Sequence, residues 1–250
     1  PMARLGMVIN LDKCTGCRAC MVACKVENNT PQGSFWMHVF RFEEDEYPRT
    51  KTWFMPRPCM HCDNAPCVKV CPVGARFKQE NGLVATDSDR CIGCRYCEVA
   101  CPYGVNNFNW QDPTKGQYLD WRGPEAQKAT QGASPPYANP DLQAGYGKGK
   151  RKIAGGGHSK GVIEKCTFCP QLVEKGKLPA CADECPTFAI QFGDLDDLMS
   201  DVSRTLQNNE NFRLLEEAGT KPRVYYVGGT PPNSKVREIE KVDAKIKGRA

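Results

Sequence analysis

Short apolar stretches, each closed by polar or turn-forming residues, mark the regular elements of this chain. "MVINLD" (7–12), "FAIQFGD" (188–194) and "RVYYVG" (223–228) read as strands. "DLDDLMSDVSRTLQNN" (194–209) reads as a helix whose acidic start suits the positive end of the helix dipole. "PVGARFKQENGLVATDSDR" (72–90) reads as strand, Glu-Asn-Gly turn, strand. Residues 111–161 break the pattern with 10 Gly and 5 Pro and read as a long loop insertion ending in the basic "GKGKRKIAGGGHSKG". Residues 231–250 form a charged tail, read as a short helix or an arm laid over a partner.

The 250 residues allow one or two domains. The net charge of +5 comes without a basic stripe carrying interleaved aromatics, which excludes a nucleic-acid surface. No apolar run reaches about 18 residues, so no membrane span of its own is expected. The start, "PMARLGMVINLDKC", holds too short an apolar segment for a signal peptide. The expected location is the periplasmic side of the inner membrane, by co-export with a signal-bearing partner. The alternative is cytoplasmic and membrane-associated through a partner.

The chemistry lies in 16 cysteines. They fall into four groups with none left over: Cys14, Cys17, Cys20, Cys24; Cys59, Cys62, Cys67, Cys71; Cys91, Cys94, Cys97, Cys101; Cys166, Cys169, Cys181, Cys185. A disulfide framework suits small secreted domains without a core. Tetrahedral zinc takes two C-x-x-C knuckles, but leaves the third cysteine of the first and third groups and every fourth cysteine unused. Iron–sulfur cubanes explain both. Three thiolates of one loop hold one cluster, and the fourth, followed by proline, serves its neighbour. The third group has this C-x2-C-x2-C-x3-C-P run with Pro102; the first has Lys25 in place of the proline; the second and fourth stretch the middle gap and keep Pro72 and Pro186. Four cysteines per cluster give four 4Fe–4S sites. Gly16 and Gly93, inside their loops, allow a turn and a close approach of amides to sulfur.

"DKCTGCRACMVAC" (12–24) repeats as "DRCIGCRYCEVAC" (89–101), and "PCVKVCPVGA" (66–75) loosely echoes "PACADECPTFAI" (179–190). The short link between Cys71 and Cys91 pairs the second and third groups, and the first and fourth pair by elimination. Cys101 then completes the second group's cluster and Cys71 the third's, Cys185 the first's and Cys24 the fourth's. The expected fold is α+β: two bacterial two-cluster ferredoxin-like lobes, residues 1–55 plus 162–230 and residues 56–110, with the 111–161 insertion and the 231–250 tail.

The other polar residues offer no catalytic site. His61, inside "CMHC", reads as a loop histidine bonded to backbone, or else as a group tuning a cluster or serving a quinone. His38 and His158 show no constellation. "EEDE" (43–46) reads as a solvated turn, and Arg18 and Arg95 as caps of a lobe surface. The chain is expected to conduct electrons rather than to catalyse.

Four such motifs in this order resemble the iron–sulfur subunit of the dimethyl sulfoxide reductase family of molybdopterin oxidoreductases. "RLGMVINLDKCTGC" and "CKVENNT" resemble respiratory arsenate reductase small subunits. "CIGCRYCEVACPYGVNNFNW" resembles those of polysulfide, tetrathionate and quinone-reductase complexes. The resemblance covers residues 4 to about 110 and 162 to 193. It implies a molybdenum or tungsten catalytic partner and a quinone-handling membrane subunit or cytochrome. It also implies an order of clusters, with the first group's at the molybdopterin subunit, then the fourth's, the second's and the third's. Formate dehydrogenase subunits of this type carry a C-terminal membrane helix, which is absent here, and nitrate reductase subunits carry tryptophan where Cys94 stands. A polyferredoxin-like carrier, or a hydrogenase or formate dehydrogenase subunit, is the alternative expectation.

Overall fold

A computed structural model describes residues 3–31, 33–44, 51–112, 139–154, 158–232 and 236–238, with positions 48, 124 and 128. The first strand, β1 (Leu5–Asn10), sits inside a four-stranded sheet. In chain order the other strands are β2 (His38–Glu44), β3 (Lys51–Arg57), β4 (Arg76–Lys78), β5 (Val84–Thr86), β6 (Asn107–Phe108), β7 (Ile163–Glu164), β8 (Ile190–Asp194), β9 (Asn211–Phe212), β10 (Val224–Val227) and β11 (Val236–Glu238). The α-helices that lie wholly among the described residues are α1 (Ala19–Glu27), α2 (Pro66–Lys69), α3 (Tyr96–Val99), α4 (Pro170–Val173), α5 (Ala180–Asp183) and α6 (Asp201–Asn208).

Strand β1 is apolar without a break because both its faces are covered. Met7 and Ile9 join Val224 and Tyr226 in the main core, while Val8 points the other way, to Val202 of α6 and Val227. It pairs with β8 in antiparallel fashion, Ile9 opposite Ile190, and with β10 in parallel, Met7 opposite Val224. The expected span of 7–12 moves to 5–10 because the Asn10 side chain accepts the main-chain N–H groups of Asp12 and Lys13 and turns the chain. The expected 194–209 helix shortens to 201–208. Its cap is Ser200, whose Oγ accepts from Ser203 N. The acidic residues before it close turns instead: Asp194 accepts from Asp196 N, and Asp197 from Met199 N.

A second sheet runs β11–β2–β3, and no pattern in the sequence singled out its hairpin. Glu43 and Glu44 belong to β2, opposite Thr52 and Lys51, so the "EEDE" run begins in a strand rather than a turn; residues 45 and 46 lie outside the described residues. Part of the charged tail, Val236–Glu238, adds to β2 as a strand; the tail beyond residue 238 lies outside the described residues. Strands β4 and β5 form the expected hairpin, turning where Gly82 takes φ +78°. The insertion is more than a loop: Leu142, Tyr146, Ile153 and Ala154 bury against Ala85 and Phe77.

The Asp63 carboxylate ties these parts together. It accepts from Arg223 Nε at 2.7 Å, Lys78 Nζ at 3.1 Å and Arg4 Nη2 at 3.2 Å. Burial alone would raise its pKa; the three cations reverse that and hold it at about 2.

Ile9→Ala, at a fully buried position of the central strand, is expected to destabilise the holoprotein by about 2–5 kcal/mol, read as a lowered thermal unfolding midpoint.

Candidate metal centres

The two copies of the repeat share one backbone geometry. Gly16 and Gly93 both take φ +70°, and Arg18 and Arg95 both sit in the left-handed region, at φ 63° and 62°, just before α1 and α3. A Cβ at Gly93 would lie 2.1 Å from Gly161 O, and one at Gly16 would lie 2.5 Å from the Phe54 ring. Only glycine lets each loop close this tightly. Arg95 pairs with Glu98 at 2.8 Å and stacks over Trp110, as a surface cap does.

Around two hollows the loops bring together cysteines of two motifs each, and the remaining eight act on one another electrostatically in two further sets. Cys14, Cys17 and Cys20 line a hollow with Cys185, beside Val39, Pro56 and Ile190. Cys91, Cys94 and Cys97 line another with Cys71, beside Ile92 and Arg76. Cys101 acts electrostatically on Cys62 and Cys67, which stand with Cys59. Cys24 acts on Cys181, which stands with Cys166 and Cys169. The sets also adjoin one another, since Cys24 feels Cys20 and Cys166 feels Cys59. Cys17 and Cys94 are exposed, whereas Cys20, Cys24, Cys59, Cys62, Cys67, Cys166, Cys169, Cys181 and Cys185 are buried.

Burial sets the protonation of these thiols. It pushes Cys20, Cys62 and Cys166 up to about 12 and Cys67 and Cys169 up to about 11, with neighbouring sulfurs adding to the rise at Cys20, Cys62 and Cys166. Alone they would be neutral; a bound metal replaces the proton. Donors for the resulting thiolates are in place. Arg76 N lies 3.3 Å from Cys71 Sγ, and Asn28 Nδ2 lies 3.6 Å from both Cys24 Sγ and Cys169 Sγ. At Cys185, burial is outweighed by the Thr187 hydroxyl and by the N–H groups of Ile190, Ala189 and Thr187, which lower its pKa. Zinc draws its sulfurs to about 2.3 Å from one point. The thiols here ring hollows, and among the described residues no three His, Cys, Asp or Glu side chains converge on a single-ion site. Soft thiolate donors with amides aimed at sulfur fit an iron–sulfur group.

The first motif departs from the proline rule for a local reason. Helix α1 runs on through Lys25, whose ammonium donates to the carbonyls of Thr30, Pro31 and Ser34. Burial lowers its pKa to about 8.

His61 is fully buried and bonded to backbone on both sides: Nδ1 accepts from Val84 N at 3.1 Å and Nε2 donates to Cys166 O at 3.0 Å. Burial, then Lys165, keep it neutral. His38 packs beside Phe35 and Phe40. His158, in which the sequence showed no constellation, is part of one. Its Nδ1 lies 2.8 Å from Glu164 Oε1 and its Nε2 donates to Asn28 O at 2.7 Å. Asn28 in turn accepts from Gln171 Nε2 through its Oδ1. Asn28, Arg76 and Lys165 were not legible as site residues, because nothing in the sequence marks a polar side chain for burial beside sulfur.

Two models of the 4Fe-4S dicluster domain match the chain, one at residues 50–117 and 152–195, the other at residues 13–75. The chain is 43% identical to the arsenate respiratory reductase iron-sulfur subunit ArrB of Shewanella sp. (strain ANA-3), over 90% of this chain and 96% of that protein. It is 40% identical to a selenate reductase subunit of Mesobacillus selenatarsenatis, over 88% and 70% of the two chains. It is 38% identical to the menaquinone reductase iron-sulfur cluster-binding subunit of Nitratidesulfovibrio vulgaris, over 89% and 88%. The chain belongs to the family of 4Fe–4S electron-transfer subunits of molybdopterin-type respiratory reductases. No helix among its described residues is long and apolar enough to cross a membrane.

The His158–Glu164 pair predicts a pH dependence. Burial lowers the His158 pKa, but Glu164 and the Asn28 carbonyl outweigh it and raise the value above 6.5. The folded protein therefore holds this proton more tightly than the unfolded chain. The stability gained is complete below pH 6.5 and is lost as pH rises through the folded pKa. Thermal midpoints measured against pH are expected to show this decline in the wild type and a flatter profile in His158→Gln.

Proposed function

We propose that the 16 cysteines hold four 4Fe–4S clusters in two ferredoxin-like lobes, residues 1–55 plus 162–230 and residues 56–110. The chain, without a catalytic site of its own, carries electrons between a molybdenum or tungsten molybdopterin subunit and a quinone-handling or cytochrome membrane partner. The carrying observation is the exchange of the fourth cysteine: Cys185 stands with Cys14, Cys17 and Cys20, and Cys71 with Cys91, Cys94 and Cys97. Packing supports the lobes. Helix α1 packs on α5, and α2 on α3, while β1–β8 repeats the motif-to-strand relation of β5–β4. The relatives named for arsenate, selenate and menaquinone support the partners, and the electron acceptor is chosen in the catalytic subunit.

Each 4Fe–4S group supplies a site that takes up and returns one electron. The protein's part is to exclude water from the inner two sets, aim N–H donors at sulfur, and expose one set at each end. Contacts support the order first, fourth, second, third. Cys20 adjoins Cys24, Cys166 adjoins Cys59, and Arg76 bears on both Cys67 and Cys97. The family resemblance assigns the first set, with exposed Cys17, to the molybdopterin subunit. At the other end, exposed Ile92, Tyr96, Val99 and Trp110 around Cys94 make an apolar surface suited to a membrane-side partner. Placement on the periplasmic face, by co-export with a signal-bearing subunit, belongs to the same proposal.

Anaerobically prepared protein is expected to contain about 16 iron atoms and about 16 acid-labile sulfides per chain; half the iron with stoichiometric zinc would refute the four-cluster reading. In the assembled complex, Cys94→Ser is expected to abolish quinol-driven turnover and to spare reduction driven by a small viologen dye. The opposite pattern would reverse the order.

A further inference from the structure

Two cations lie deep in the chain and form no ion pair among the described residues. Arg76 is 2% exposed. Its Nη2 donates to Asn106 Oδ1 at 2.9 Å and to Cys97 Sγ at 3.4 Å, while Nε and Nη1 find no partner among the described residues. Lys165 is 3% exposed, and its ammonium donates to the main-chain carbonyls of Val84 and Cys166. Neither takes part in an ion pair among the described residues, although twelve other pairings, from Arg4–Asp63 to Arg223–Asp63, do form there.

A buried cation without a counter-ion is strongly unfavourable, and a guanidinium cannot escape by losing its proton. The anion has to come from the sulfur sites. Four thiolates outweigh the positive charge of an iron–sulfide core, so each ligated set is anionic and becomes more so on reduction. The Arg76 guanidinium touches the third set at Cys97, and its main-chain N–H donates to Cys71. Burial pushes the Cys67 thiol of the second set up to about 11, against the pull of Arg76 and of Lys165. Lys165 also bears on Cys166 of the fourth set. Through Cys67 the second set therefore feels both positive charges. Among the described residues, the hydrogen bonds of the two cations reach no cysteine of the first set.

We infer that Arg76 and Lys165 are potential-setting residues, the internal counter-ions of the iron–sulfur groups they adjoin, and that they raise the reduction potentials there, the second set's most of all. A fixed positive charge favours the form that has gained the electron, and no proton need accompany it. The inference rests on the four-cluster reading above.

The test is a redox titration of the assembled holoprotein followed by electron paramagnetic resonance, with iron measured on the same samples. Arg76→Met is expected to weaken reduction of the second- and third-set groups at least tenfold, a downward shift of about 59 mV for one electron. Arg76→Lys, which keeps the charge, is expected to retain most of the wild-type potential. Lys165→Met is expected to lower the second- and fourth-set midpoints, and the first-set midpoint stays fixed in all three. Should Arg76→Met lose iron, Arg76→Gln carries the same comparison. Full iron with unmoved midpoints in the charge-removing variants overturns the inference alone, as does an equal shift in Arg76→Lys and Arg76→Met. Wild-type protein well short of about 16 iron atoms overturns the four-cluster reading itself.

Discussion

A thiol that is to hold iron has to leave water and still serve as an anion. Burial opposes the thiolate, as the raised pKa values of Cys20, Cys62, Cys166 and Cys169 show. The rest of the molecule answers that conflict. Left-handed residues at Gly16 and Arg18 and at Gly93 and Arg95 turn the loops tightly, and the main-chain N–H of Gly16 faces the sulfur of Cys14. Asn28 places one amide between two cysteines of the fourth set, and Arg76 and Lys165 bring buried positive charge that forms no ion pair among the described residues. Sheet and hairpins then serve as scaffolding: β1, β8 and β10 fix the first and last motifs, and β4 and β5 fix the two between.

What could be read in the sequence follows from how tightly each feature is tied to local spacing. Cysteine spacing is a local signal, so the four groups, and the meeting of Cys185 with Cys14, Cys17 and Cys20 and of Cys71 with Cys91, Cys94 and Cys97 around two hollows, could be read from it. The duplicated loop geometry was legible for the same reason. Strand and helix ends were less so, because side chains such as Asn10 and Ser200 set them by capping the chain locally. The β2–β3 hairpin was missed: Val39, Phe40 and Phe42 do not alternate cleanly, and Pro56 argues against a strand until its edge partners are known. The insertion looked like a solvated loop because its few apolar residues, Leu142, Ile153 and Ala154, are scattered among glycines and meet only in three dimensions.

The candidate site was legible in its cysteines and illegible in its surroundings. Arg76 sits in "GARFK" and Lys165 in "IEKC", contexts in which a charged side chain is usually solvated. Their burial depends on the meeting of distant segments, β4 with residue 106 for Arg76 and β5 with residue 165 for Lys165. His158 is a similar case. Its partners, Asn28 and Glu164, come from either side of the insertion, so no short window of sequence contains all three.

The topology also bears on how the protein is made. The second and third sets draw every thiol from one run, residues 59–101, closed by the β4–β5 hairpin. The first set needs Cys185, and the sheet that carries it needs β10, laid parallel to β1 from more than 200 residues away. As the chain leaves the ribosome, the middle pair can therefore reach its folded form first, while Cys14, Cys17 and Cys20 stay open to thiol chemistry and to scavenged metals. The loops completed last are the ones a biosynthetic chaperone would have most reason to guard.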